Sequence, residues 1–161
     1  MATKHLFVYR GGGRESIPWN ATHVSVDSSV TVIPARLFSE HQHIVELICH
    51  AGVIIIEEEA FECCRCLKRV VIPGVMIIMN CAFCDCTALE YVECDGKLEI
   101  IKECAFDCCR SLRSASIYHL SKSSNIAMHL LIAKLWFMQN LINIWNRSET
   151  KHFVSVTLSN E

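Results

Sequence analysis

The sequence predicts a solenoid of the α/β class, with about four to five repeats of 22–23 residues that each hold short strands and a one-turn helix. Two observations predict this fold. Four phenylalanines, Phe38, Phe61, Phe83 and Phe106, recur at separations of 23, 22 and 23 residues. Other apolar positions return in phase with them between residues 21 and 117. A fixed period in the twenties indicates stacked repeats that bury one another's apolar faces.

The chain is predicted to begin with a flank over residues 1–21. In this flank Leu6 to Tyr9 reads as a short strand and Gly11 to Gly13 as a turn. The first ten residues lack the sustained apolar stretch of a secretory signal. We therefore expect a cytoplasmic location, where thiols stay reduced.

Each repeat of the predicted solenoid, residues 22–120, divides into two halves. The stretch Leu67–Ile72 has apolar residues at the spacing L-x-x-L-x-L, and its last part alternates as a strand does. Pro73-Gly74 predicts a turn, and Val75–Ile78 a second short extended piece. Asn80–Cys84 is predicted to form a single turn of α-helix or 3₁₀ helix that points an alanine and a phenylalanine inward.

These residues carry a resemblance to a known family. The stretch from Ile56 to Pro73 has the form I-x-x-x-A-F-x-x-C-x-x-L-x-x-V-x-I-P. It resembles the BspA-like, or Treponema-type, leucine-rich repeat, and the likeness covers roughly residues 22 to 118. The resemblance implies protein recognition without catalysis, and it implies nothing about which ligand is bound, because a fold does not dictate an activity.

Strict alternation on the strands predicts two outward columns of residues that together form a candidate binding face. These columns are His23, Glu46, Arg69, Tyr91 and Ser114, and Ser25, Ile48, Val71, Glu93 and Ser116. They mix charge, one tyrosine and two aliphatic residues, as a protein-binding face does. The alternative interpretation is that these are ordinary solvated strand residues.

The eleven cysteines support a second hypothesis, a cysteine-rich metal-binding or redox-responsive protein. Cys63-x-x-Cys66 and Cys81-x-x-Cys84 approach a zinc-ribbon spacing. The repeat argues against a shared metal, because the first pair follows a phenylalanine and the second straddles one. We therefore expect no metal and no cofactor, and we expect most thiols to pack as small hydrophobes.

The C-terminal segment, residues 121–161, departs from the repeat. Ser124-Asn125 is predicted to cap a helix over residues 126–145, whose apolar face would cover the last coil. The alternatives are a degenerate tail that does not pack and membrane attachment through this helix, although Lys134 and several amides within it argue against insertion.

Composition and motifs exclude other classes. The net charge of −2 gives no electrostatic basis for binding nucleic acid. The sequence holds no G-x-S-x-G, P-loop or H-E-x-x-H motif. We therefore predict no catalytic residues, and an unidentified protein as the partner.

Overall fold

A computed structural model of the protein describes residues 4–117. The described chain forms ten strands, and one 3₁₀ turn at Arg14–Ser16. The strands are β1 (Leu6–Tyr9), β2 (His23–Val26), β3 (Val32–Ile33), β4 (Glu46–Ile48), β5 (Ile55–Ile56), β6 (Arg69–Val71), β7 (Ile77–Ile78), β8 (Tyr91–Cys94), β9 (Ile100–Ile101) and β10 (Ser114–Ile117).

The strands form two parallel sheets of a solenoid. The longer sheet has six strands in the order β1-β2-β4-β6-β8-β10, and the shorter sheet has four in the order β3-β5-β7-β9. Each coil begins on the longer sheet, crosses to the shorter one, and returns through a segment centred on one of the recurring phenylalanines. Coils 1 to 4 therefore begin at β2, β4, β6 and β8. The predicted strand β1 is confirmed, and it adds one strand before the first coil.

The core lies between the sheets and the returning segments. Every strand of coils 1 to 3 on the longer sheet alternates, with its inward residue buried, as for Val70 between Arg69 and Val71. The turn at Pro73-Gly74 requires glycine, because a side chain at Gly74 would clash with the main chain of Ala51 in the coil before. Close stacking of consecutive coils therefore explains why a glycine stands at this turn.

The four phenylalanines form one column through the core. Phe38 and Phe61 stack with ring centroids 4.9 Å apart, and Phe61 with Phe83 and Phe83 with Phe106 at 5.2 Å. Tyr9 closes the N-terminal end of the column in an edge-to-face arrangement, with its ring centroid 5.8 Å from that of Phe38. The predicted stacking of phenylalanines from one repeat to the next is confirmed.

The predicted one-turn helix in each repeat is wrong. The segments 34–40, 57–63, 79–85 and 102–108, which we name the turn side, are consecutive turns without helix. Each contains two residues with φ between 54° and 61°, placed two positions before and two after the phenylalanine. These residues are Arg36, Glu40, Glu59, Cys63, Cys81, Asp85, Cys104 and Cys108. Left-handed residues interrupt a right-handed helix, so alternate amides of the segment point toward the next coil instead.

Hydrogen bonds between coils replace the helical ones on the turn side. In each of coils 1 to 3, three alternate N–H groups donate to three carbonyls of the following coil. For Phe61, the N–H donates to the Ala82 carbonyl at 2.8 Å, and Phe83 donates to Ala105 at 2.8 Å. The turn side is thus a third ladder of the solenoid. The predicted C-terminal helix over 126–145 lies outside the described residues.

Candidate interaction surface

The register of the longer sheet aligns the two predicted columns across neighbouring strands. Glu46 pairs with Arg69 and Arg69 with Tyr91, while Ile48 pairs with Val71 and Val71 with Glu93. His23 and Ser25 precede them on β2, and Ser114 and Ser116 follow them on β10. The predicted columns are therefore real features of the fold. Their role in binding stays a prediction.

Two members of the columns are apolar or aromatic and markedly exposed. Ile48 is 40% exposed and Tyr91 is 44% exposed. Val71 lies between the two strands that carry them and is half-buried. Tyrosine is among the residue types that most often dominate protein interfaces, so Tyr91 is the strongest single candidate on this face.

Arg69 lies between two carboxylates of the neighbouring strands. Its Nη1 is 2.9 Å from Glu46 Oε1, and its Nη2 is 2.9 Å from Glu93 Oε1. The pKa of Arg69 is raised, chiefly because its guanidinium donates hydrogen bonds to Glu93 and Glu46. His23 continues the row with its Nε2 4.0 Å from Glu46 Oε2. The guanidinium of Arg69 is therefore held in place between two carboxylates of this face.

Five cysteines are buried core residues, as the repeat predicts: Cys49, Cys64, Cys86, Cys94 and Cys109. Three of them occupy the same position of successive repeats, and each donates its S–H to the phenylalanine carbonyl of the coil before. These pairs are Cys64 to Phe38 at 3.0 Å, Cys86 to Phe61 at 3.1 Å and Cys109 to Phe83 at 3.2 Å. A thiol is small enough for this buried place and satisfies a carbonyl there.

Burial raises the pKa of these thiols. The pKa rises to about 12 for Cys49 and Cys64 and to about 11 for Cys94, and those of Cys86 and Cys109 are also raised by desolvation. A thiol with such a pKa is protonated at neutral pH, whereas the thiolate is the form that attacks or binds metal. The buried cysteines are therefore better explained by packing in the core than by a nucleophilic or metal-binding role.

Several partly buried thiols also have a raised pKa. Burial first, and then nearby acidic groups, raise the pKa of Cys63 and Cys108, and the Cys63 S–H lies 3.7 Å from Asp85 Oδ2. For Cys84, burial raises the pKa to about 12. Among residues 4–117, which hold every cysteine of the chain, no group of three or more His, Cys, Asp or Glu is arranged to hold a metal ion.

Sequence reasoning missed a cavity at the N-terminal end of the solenoid. It has a volume of about 330 Å³ and lies between the flank and the first turn segment. Its lining includes Trp19, which is 75% exposed, and His43, whose ring centroid is 5.5 Å from that of Trp19. The sole signal in the sequence was a tryptophan in a polar flank.

The coils carry two parallel sheets and a third row of hydrogen bonds on the turn side, as expected of a leucine-rich-repeat solenoid. A comparison with protein families supports this class. The model of the BspA type leucine rich repeat region matches residues 18–129 in six copies. This chain belongs to the BspA-type leucine-rich repeat family. The match covers more than half of the chain.

A solved structure gives a weaker likeness. It is a leucine rich cell surface protein from Faecalibacterium prausnitzii, 20% identical, with a TM-score of 0.47. The alignment covers 66% of this chain and 35% of that protein, so the chain spans about a third of its length. No curated protein matches the sequence significantly. Within residues 4–117 no helix is long and apolar enough to cross a membrane.

Proposed function

We propose that this protein is a non-catalytic interaction module that binds another protein through the outward face of its longer sheet. The observation that carries the proposal is the open face of this parallel sheet. Parallel sheets in most proteins are covered on both faces. Here the outward residues of β4, β6 and β8 include exposed side chains with no described segment packed over them.

The chemistry of this face supports a protein ligand. Ile48 and Tyr91 supply apolar contact area, and Tyr91 adds a hydroxyl group. Between them Arg69 is fixed by two carboxylates, so its side chain loses little conformational freedom when a partner binds. The protonated thiols of the core supply no nucleophile, which favours binding over catalysis.

We also propose a cytoplasmic, reducing location for the protein. The S–H groups of Cys64, Cys86 and Cys109 each donate a hydrogen bond within the core. Those bonds require reduced thiols, which are stable in the cytosol.

The test uses the full chain as bait and compares captured proteins between variants. A double variant, Ile48→Ser with Tyr91→Ala, removes the apolar part of the face. The matched control is Ile54→Ser, because Ile54 is 41% exposed but precedes β5 on the shorter sheet. A partner retained by the control and lost by the double variant supports the proposal. Partners that bind all three proteins equally contradict it.

A further inference from the structure

The main-chain hydrogen bonds that join turn-side residues of neighbouring coils all run in one direction, which leaves main-chain acceptors at one end of the solenoid. Between coils 1 and 2, the N–H groups of Arg36, Phe38 and Glu40 donate to carbonyls of coil 2, and the same direction holds for both later pairs of coils. Carbonyls on the turn side therefore point toward the N-terminal end, and N–H groups toward the other end.

The first coil has no coil before it to supply donors. In coil 2 the carbonyls of Glu58, Ala60 and Glu62 accept hydrogen bonds from coil 1. The carbonyls at the same repeat positions of coil 1 are those of Ala35, Leu37 and Ser39. No described residue donates to the three carbonyls of the first coil. Leu37 and Ser39 line the cavity of about 330 Å³ at this end. Because the carbonyls of the ladder point toward this end, the main-chain oxygens of these two largely buried residues lie on the cavity side of the coil.

Two side chains give this cavity a preference for positive charge. Glu40 lines it, is exposed, and makes no ion pair with any described residue. Trp19 lines it with most of its indole open to solvent. An indole face attracts cations, and arginine is the more frequent cationic partner in proteins. A carboxylate, an aromatic face and a row of carbonyls are together complementary to a cation that donates several hydrogen bonds.

His41, which also lines the cavity, does not reverse this preference. His41 Nε2 is 3.0 Å from the Pro18 carbonyl, so this nitrogen carries the proton and donates it within the structure. His41 Nδ1 then accepts from the His43 N–H at 3.4 Å. Burial lowers the pKa of His41, which keeps the ring neutral. Arg14 at the rim is the one positive charge in the lining, and it opposes a bound cation.

The row also selects between kinds of donor. An extended peptide strand presents N–H and C=O groups alternately, so some of its carbonyls would face those of Leu37 and Ser39. A guanidinium has five N–H donors and no acceptor, and its planar fork reaches more than one oxygen. An arginine side chain therefore satisfies this row better than a strand does.

We propose that this N-terminal cavity binds an arginine side chain of a protein partner, between Trp19, Glu40 and the carbonyls of Leu37 and Ser39. The site is separate from the face of the longer sheet. Either one can fail without affecting the other.

The test is an NMR titration of the full 161-residue chain with blocked Gly-Arg-Gly peptide, followed at the indole N–H of Trp19. The Trp19→Phe variant assigns that signal. The matched probe is the same peptide with citrulline, which keeps the shape of arginine and removes its charge. We expect saturable binding that is about tenfold weaker for citrulline, because charge-assisted hydrogen bonds are lost. Equal binding of the two peptides, or no binding, overturns the proposal.

Variants locate the site. Glu40→Gln should weaken arginine binding and Arg14→Gln should strengthen it, because these changes remove the attracting and the opposing charge. Glu103→Gln, which removes an exposed carboxylate of the turn side in coil 4, should leave it unchanged. An equal loss in Glu40→Gln and Glu103→Gln would show general charge attraction and contradict the site. A lysine peptide that binds as tightly as arginine would contradict the guanidinium specificity.

Discussion

Phe61 and Phe83 stack with ring centroids 5.2 Å apart and ring planes 7° from parallel. The N–H of Phe61 donates to the Ala82 carbonyl beside Phe83 at 2.8 Å, so main chain and side chain join the two coils at one place. Both rings are fully buried. The stability of each coil therefore depends on its neighbours, as in other repeat proteins.

Phe83→Ala should lower the free energy of unfolding by about 3–5 kcal/mol, because it removes a buried ring and leaves a cavity between two others. Chemical denaturation followed by circular dichroism measures this change. Tyr91→Ala, on the outward face of the same region, is the control and should change stability by less than about 0.5 kcal/mol. Similar losses in the two variants would contradict a phenylalanine column that carries the core.

Thiol labelling of the native protein should separate the cysteines by burial. Cys66 and Cys104 are exposed and should react with a maleimide first. The five buried thiols should react after unfolding, because they are inaccessible and burial raises their pKa. Mass spectrometry of peptides from timed samples gives the order. Early labelling of Cys86 would contradict the burial of these thiols.

Cys104→Asn should stabilise the protein by roughly 0.5–1 kcal/mol. Cys104 is exposed and has a φ of 55°, a conformation that costs most L-residues energy and that asparagine adopts more readily. Cys66→Asn is the control, since Cys66 is also exposed but does not have a positive φ. Thermal melts of both variants check the prediction. A gain for Cys66→Asn that matches or exceeds the gain for Cys104→Asn would argue against strain at this position.

His41 should make the protein less stable in mild acid. Burial lowers its pKa in the folded state below the ordinary 6.5, with His43 and Arg14 contributing, despite the bond to Pro18. In mild acid the unfolded chain therefore binds more protons than the folded chain. The contribution of neutral His41 to the free energy of unfolding is fully present above pH 6.5 and is lost as the pH falls through the folded-state pKa. Denaturation from pH 7.5 to about 5 should show a smaller loss of stability for His41→Gln. Identical slopes for the two proteins would contradict a lowered pKa.

The strands and their register could be predicted from the sequence. Apolar residues such as Val70 and Val92 recur with the repeat, and a repeat can bury them in one way only, by stacking in register. The outward columns followed from alternation alone. The buried cysteines followed because Cys49 and Cys94 replace isoleucines of other repeats.

The turn side was not predictable in the same way. An inward Ala82-Phe83 pair suits one turn of helix and a series of turns equally well. Glycine or asparagine usually signals a left-handed residue, but here seven of the eight positions hold cysteine or an acidic residue, as at Cys81 and Asp85, and the eighth holds Arg36. The N-terminal cavity was missed because it depends on where the flank lies against the first coil, which no local pattern encodes.

The most direct test of the account is NMR detection of scalar coupling across hydrogen bonds on the turn side. A ladder between coils predicts a correlation from the Phe61 amide nitrogen to the carbonyl carbon of Ala82, and from Phe83 to Ala105. A helical segment would instead correlate each phenylalanine with the carbonyl four residues before it, Glu57 for Phe61. Correlations from Phe61 and Phe83 to the following coil are the result we predict, and a correlation from Phe61 to Glu57 would contradict the account.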